Sequence, residues 1–150
     1  SASNYAEFLG AYPMDPTFSG ATYRVAIGPD VILTMPFTIP TNADLDTYVW
    51  LSWVFFGGTA NSTRVTVSRC PGGVLEADAV PQQQPGKSCV GQGGMPGGDL
   101  TFGRSTDATC VLAPGDYHLN IAHIDRTDAS GCSEFSCEWR VQPRLVDTSP

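Results

Sequence analysis

Turn-forming residues interrupt every apolar segment of this chain, which leaves no helical period longer than about two turns. The 16 glycines and 12 prolines among 150 residues are about twice what compact helices joined by short loops tolerate. Between the turns, apolar side chains alternate with polar ones, as in strands that have one buried face. Clear cases are residues 23–27, 31–37, 64–69 and 117–124. The pattern predicts an all-β fold.

The spacing of the turns predicts an antiparallel β-sandwich or jelly roll of about seven to nine strands, with a closed barrel as the next choice. Residues 47–56 (TYVWLSWVFF) are apolar at both parities, so we expect a central strand covered on both faces. A hairpin with 64–69 should follow, and a second hairpin should join 109–112 to 117–124. The Gly-rich stretch 71–103 is expected to be a long surface excursion.

The length fits one domain, which we place at residues 21–150. Residues 1–20 are predicted to be an N-terminal arm, because their apolar side chains follow no period. The arm either packs on its own domain or docks on a neighbour by adding a strand to an exposed sheet edge. The second alternative would make the chain a homo-oligomer.

The charge and hydropathy of the chain limit the kinds of partner that we expect it to bind. Eight basic and 15 acidic residues give a net charge of −7, which repels phosphate backbones, so we expect no nucleic-acid partner. The longest apolar run, 48–56, is too short for membrane insertion. Five cysteines beside a single lysine favour an oxidising extracellular, periplasmic or cell-surface location. Ser1 begins no signal-peptide pattern, so any signal or anchor is expected to have been removed.

The cysteine spacing predicts two disulfides. Cys132 and Cys137 are close enough in sequence to pair across a short loop. Cys70–Cys89 is the preferred second pair, because it would close the excursion with a loop worth roughly 3 kcal/mol; Cys89–Cys110 is the alternative. The remaining thiol is then buried or linked to another chain. No C-x2-C spacing occurs, so we do not expect these cysteines to bind a metal.

Catalysis has little support in the sequence. The two histidines, His118 and His123, lie at odd separation on one predicted strand and so point to opposite faces. No G-x-S-x-G elbow accompanies them. Glu138 would need a second carboxylate for sugar hydrolysis, and none can be named. A secreted hydrolase that uses His118 or His123 with a carboxylate is therefore the alternative function.

Calcium is the one cofactor that the sequence suggests, because loop carboxylates suit its flexible coordination. Two loops carry such residues, although Asp is also common in turns for its own hydrogen bonding. The candidate ligands are Asp44, Asp46, Asp125, Asp128 and Glu134.

Aromatic side chains could instead form a platform on which sugar rings stack. Most of them lie in the most apolar strands, where packing in the core is the competing explanation. The candidates are Tyr48, Trp50, Trp53, Tyr117 and Trp139.

Three segments carry a resemblance to a known group of proteins: 67–73 (VSRCPGG), 110–121 (CVLAPGDYHLNI) and 131–141 (GCSEFSCEWRV). Over residues 20–145 the chain resembles a family of small exported proteobacterial β-sandwich proteins of unassigned function. The unit LAPGDYHLNI is also similar to the end of pre-peptidase C-terminal domains. The resemblance implies a fold and export, and it transfers no catalytic residue.

Together these features predict a non-enzymatic extracellular module that binds a glycan or a protein surface, or that serves as a subunit of a surface assembly.

Overall fold

The computed structural model describes the backbone of residues 23–27, 32–56, 63–73, 85–93, 97–123 and 137–150, and the side chains of 32–53, 64–73, 85–91, 97–122 and 140–150. This part of the chain contains nine strands and no helix, which confirms the all-β prediction for these residues. The strands are β1 (Tyr23–Ile27), β2 (Ile32–Ile39), β3 (Thr47–Phe56), β4 (Thr63–Ser68), β5 (Gln92–Gly93), β6 (Gly97–Gly103), β7 (Cys110–Val111), β8 (Gly115–His123) and β9 (Cys137–Asp147).

The strands form two sheets. The large sheet has six strands in the order β1-β9-β3-β6-β5, with the short β7 paired to β6, and the small sheet has the order β2-β8-β4. All described pairings are antiparallel except β6 with β7. The ring centroids of Phe37 in the small sheet and Phe102 in the large sheet lie 5.3 Å apart. The two sheets therefore contribute to one core.

Alternation along each strand decides which side chains enter that core, because successive residues of a strand point to opposite faces. The small sheet contributes Met35, Phe37, Ile39, Val65, Val67, Tyr117, Leu119 and Ile121, and the large sheet contributes Val49, Leu51, Trp53, Leu100, Phe102 and Val141.

Both predicted hairpins are wrong. β3 lies in the large sheet and β4 in the small one, and β7 and β8 are divided in the same way. Apolar alternation shows which face of a strand is buried, but it does not show which strand lies beside it. The chain changes sheets at both places where a tight connection within one sheet was expected.

The predicted excursion 71–103 is also partly wrong, because it contains β6, an internal strand of the large sheet. Its Leu100 and Phe102 are buried, but glycines around them hide the alternation. Earlier in the stretch, residues 89–91 run beside β4. The Val67 N–H donates to the Cys89 carbonyl at 2.9 Å, and the Gly91 N–H donates to the Val65 carbonyl at 2.6 Å.

The disulfide of the described residues joins Cys89 to Cys110, with Cα atoms 4.5 Å apart. The preferred prediction Cys70–Cys89 is therefore wrong and its alternative is confirmed. Cys89 and Cys110 are both buried in the core, whereas Cys70 is exposed and free. Because Cys89 lies beside β4 and Cys110 lies in β7, the bond connects the two sheets. The predicted Cys132–Cys137 pair lies outside the described side chains.

β3 is central in its sheet, between β9 and β6, but the expectation that both its faces are covered is wrong. Val49, Leu51 and Trp53 point into the core, whereas Trp50 on the opposite face is 40% exposed.

The predicted arm, residues 1–20, lies outside the described residues, so a homo-oligomer formed through it stays a prediction. Within the described part of the chain, no helix has the length and apolar character needed to cross a membrane.

Candidate binding site

The outward face of the large sheet carries Trp50 with polar side chains around it, and we call this part of the sheet the Trp50 face. In the pairing register, Trp50 lies opposite both Thr101 and Arg144, and Ser52 lies opposite both Asp99 and Gln142. Residues directly opposite each other in a sheet project to the same side. The Trp50 face thus consists of Trp50, Ser52, Asp99, Thr101, Gln142 and Arg144. Tyr48 and Val146 lie opposite each other and border it on the same side, both partly buried.

Two charged side chains hold the Trp50 indole in one orientation. Its Nε1–H donates to Asp99 Oδ2 at 3.2 Å. On the other neighbouring strand, the guanidinium carbon of Arg144 lies 5.8 Å from the centre of the ring. A cation over an exposed aromatic ring contributes about 0.5–1 kcal/mol. An anion at the indole nitrogen and a cation over the ring therefore favour one orientation of Trp50 in the ligand-free protein.

Two shallow grooves flank the indole. The first, of about 210 Å³, is lined by Trp50, Ser52, Gln142 and Arg144. We call the second the Ser88 groove; it measures about 230 Å³ and is lined by the polar residues Ser88, Asp99, Thr101 and Thr109 and by Gly86, Val90 and Leu100. Asp99 lines the Ser88 groove and also binds Trp50. The two grooves are therefore connected through this hydrogen bond, because Trp50 lines the first groove.

Hydrogen bonds order the wall of the Ser88 groove that contains Ser88 and Thr109. The Thr109 N–H donates to Thr101 Oγ1 at 2.7 Å, and the Ser88 N–H donates to the Thr109 carbonyl at 2.8 Å. Lys87 Nζ donates to the Thr106 and Ala108 carbonyls at 2.6 and 2.8 Å. A wall that is already ordered loses little conformational entropy when it binds a ligand.

Two other aromatic candidates lie in the core. Trp53 and Tyr117 are each 3% exposed, so neither offers a ring face to a ligand, and we leave them out of the site. Burial raises the pKa of the Tyr117 phenol, and its hydroxyl donates to the Ala113 carbonyl at 2.7 Å. Tyr48 is partly buried. The side chain of Trp139 lies outside those that the structure describes.

Among the described residues, no histidine is hydrogen-bonded to a serine or a carboxylate as the hydrolase alternative would require. His118 lies opposite Ser68 in the register, but its Nδ1 has no hydrogen-bond partner among the described atoms. Ser68 Oγ donates instead to the Cys70 carbonyl at 2.6 Å. The side chains of His123 and Glu138 lie outside the described set.

The hydroxyl of Ser68 also accepts a hydrogen bond from a buried asparagine that was not predicted from the sequence. Asn120 is fully buried, and its Nδ2 donates to Thr66 Oγ1 at 3.1 Å and to Ser68 Oγ at 2.8 Å. Its Oδ1 accepts the Gly72 N–H at 2.9 Å. These bonds hold the turn at 70–73 against the small sheet, so this polar cluster is structural.

The calcium prediction stays a prediction. Asp44 and Asp46 are exposed, and Asp44 Oδ1 accepts the Asp46 N–H at 2.9 Å, as in a turn that precedes a strand. Among the residues that the structure describes, no three His, Cys, Asp or Glu side chains are grouped to hold a metal ion. The other candidates, Asp125, Asp128 and Glu134, lie outside that part.

Trp50 was among the residues predicted from the sequence, but Asp99 and Arg144, which orient it, were not. Both residues lie far from Trp50 along the chain, and only the strand register brings them to it. No protein-family model matches the chain, and neither does any curated protein or any solved structure.

Proposed function

We propose that this chain is a non-enzymatic extracellular binding module of the β-sandwich or jelly-roll type, and that the Trp50 face binds a glycan. The observation that carries the proposal is the indole of Trp50, 40% exposed and held by Asp99 and Arg144. The apolar C–H face of a sugar ring can stack on the part of the indole that Arg144 does not cover, while the sugar hydroxyls find hydrogen-bonding groups around it.

The architecture supports a sandwich module. Two sheets share one core, and the Cys89–Cys110 bond links them. Jelly rolls, which are also built from two sheets, occur among lectin domains. The disulfide and the net charge of −7 fit an extracellular, periplasmic or cell-surface location.

The composition of the face favours a glycan over a protein partner. The large apolar side chains exposed in the described part are Ile32, Leu45 and Trp50, and Trp50 is the one on this face. The centre of a protein interface usually groups several apolar or aromatic residues. Around Trp50 the neighbours are instead mostly polar and suit a ligand with many hydroxyl groups, whereas Tyr48 and Val146 beside them are partly buried.

The test compares the affinities of the full chain and of Trp50→Ala for glycans. Affinity electrophoresis measures binding to soluble polysaccharides, and calorimetry measures binding to oligosaccharides. A Trp side chain buries up to about 250 Å², so an exposure of 40% leaves roughly 100 Å² to cover. At about 25 cal/mol/Å², full cover would contribute about 2.5 kcal/mol. One sugar ring covers part of that area, so we expect Kd to rise at least tenfold.

The matched control is Ile32→Ala, because Ile32 is 44% exposed on β2 of the other sheet. This variant should bind like the wild type, and circular dichroism should show both variants folded. Equal affinity of Trp50→Ala and wild type for every glycan that binds would refute the proposal.

A further inference from the structure

We infer that the glycan is acidic, with Arg144 binding the carboxylate of a uronic acid whose ring stacks on Trp50. The inference rests on the proposed glycan-binding function and adds the chemical class of its ligand. It comes from the exposed position of Arg144 and from the charges on either side of the indole.

Arg144 has unused hydrogen-bonding capacity. It is exposed, and within the described residues its guanidinium contacts the Trp50 ring but no carboxylate. A guanidinium presents five N–H donors in a planar fork that matches the two oxygens of a carboxylate. The ring contact limits the positions of the guanidinium and leaves its donors for a ligand.

The charges on the face are ordered across three strands. Arg144 lies on β9, Trp50 on β3 and Asp99 on β6. Neighbouring strands are about 4.8 Å apart, so β9 and β6 are separated by about 10 Å, which is comparable to the length of a disaccharide. A sugar on Trp50 can direct its carboxylate to Arg144. The next sugar then meets Asp99 at the edge of the Ser88 groove, and this carboxylate can accept hydrogen bonds from hydroxyl groups and repels a second carboxylate.

The negative net charge of the protein makes binding of an acidic glycan depend on a local contact with Arg144. With a net charge of −7, the protein as a whole repels an acidic polymer. Binding of such a polymer therefore requires a specific carboxylate site, so substitution of one arginine should have a large effect.

The experiment compares three disaccharide probes in calorimetry with the full chain: cellobiouronic acid, which has a single carboxylate, its methyl ester, and neutral cellobiose. We expect the wild type to bind cellobiouronic acid at least tenfold more tightly than the ester, because esterification removes the negative charge. Arg144→Gln should abolish that preference, and Arg144→Lys should keep part of it. Asp99→Asn should increase affinity for digalacturonate, because it removes the repulsion of the second carboxylate.

The outcomes separate the two proposals. If Trp50→Ala abolishes binding but the wild type binds the neutral or esterified probe as tightly as the acid, the acidic ligand is wrong and the glycan function stands. If acid binding persists in Arg144→Gln, Arg144 is not the carboxylate site. If no probe binds, the inference is overturned, and the wider polysaccharide panel with Trp50→Ala then decides the glycan function.

Discussion

Replacing both members of the Cys89–Cys110 disulfide with alanine is expected to lower the free energy of unfolding by about 3 kcal/mol. The cysteines are 21 residues apart, and the entropy that such a crosslink removes from the unfolded chain corresponds to about 3 kcal/mol at 25 °C. Alanine is preferred to serine because both positions are buried, and a hydroxyl there would add a desolvation cost.

Urea unfolding followed by circular dichroism under non-reducing conditions measures the loss. For a chain of this length, it corresponds to a fall in Tm of roughly 10 °C. The control is Cys70→Ser, which changes an exposed, free thiol and should alter stability by less than about 0.5 kcal/mol. If Cys70→Ser destabilised the protein as much as the double variant, or if peptide mapping recovered Cys70 linked to Cys89, the assigned disulfide would be refuted.

Two further substitutions test the packing of the core. A Cβ added at Gly91 would lie 2.7 Å from Trp53 Cη2 and 3.0 Å from the Val65 carbonyl oxygen, so Gly91→Ala should cost about 1–3 kcal/mol in urea unfolding; an unchanged midpoint would mean that Trp53 does not pack there. Tyr117→Phe should cost about 1 kcal/mol at neutral pH, because it removes the hydrogen bond to Ala113. Burial raises the Tyr117 pKa above its ordinary value of 10.0, so the folded state holds the phenolic proton more tightly. The resulting stability is complete below about pH 10 and is lost as the pH rises through the folded-state pKa. Urea midpoints of the wild type should therefore fall more steeply at alkaline pH than those of Tyr117→Phe, and parallel curves would contradict the burial of the phenol.

The period of apolar residues was sufficient to predict most of the strands but not their partners. Met35 and Phe37 were expected to share a face of β2, and both are buried. The same pattern could not show that β3 and β4 belong to different sheets, because alternation specifies a buried face only. β6 was missed because it has only two large apolar residues, Leu100 and Phe102, among glycines and polar side chains.

The site was predictable to a smaller extent. Trp50 and Trp53 are three residues apart on one strand, so they had to face opposite ways. Trp53 shares its parity with Val49 and Leu51, but residues 47–56 are apolar at both parities, so the alternation did not show which of the two tryptophans is exposed. Asp99 lies 49 positions from Trp50. Its contact with the indole depends on the pairing of β3 with β6, which residue types alone do not specify.

The most direct test of glycan binding at the Trp50 face is the behaviour of the tryptophan indole N–H groups in NMR spectra of the ¹⁵N-labelled full chain. Trp50→Phe assigns the Trp50 signal and Trp53→Phe the Trp53 signal. During titration with the tightest-binding oligosaccharide, the Trp50 signal should move and saturate, because its Nε1 lies at the site beside Asp99. The signal of Trp53, which is 3% exposed, should stay in place. Saturable binding that leaves the Trp50 signal unmoved would contradict the account.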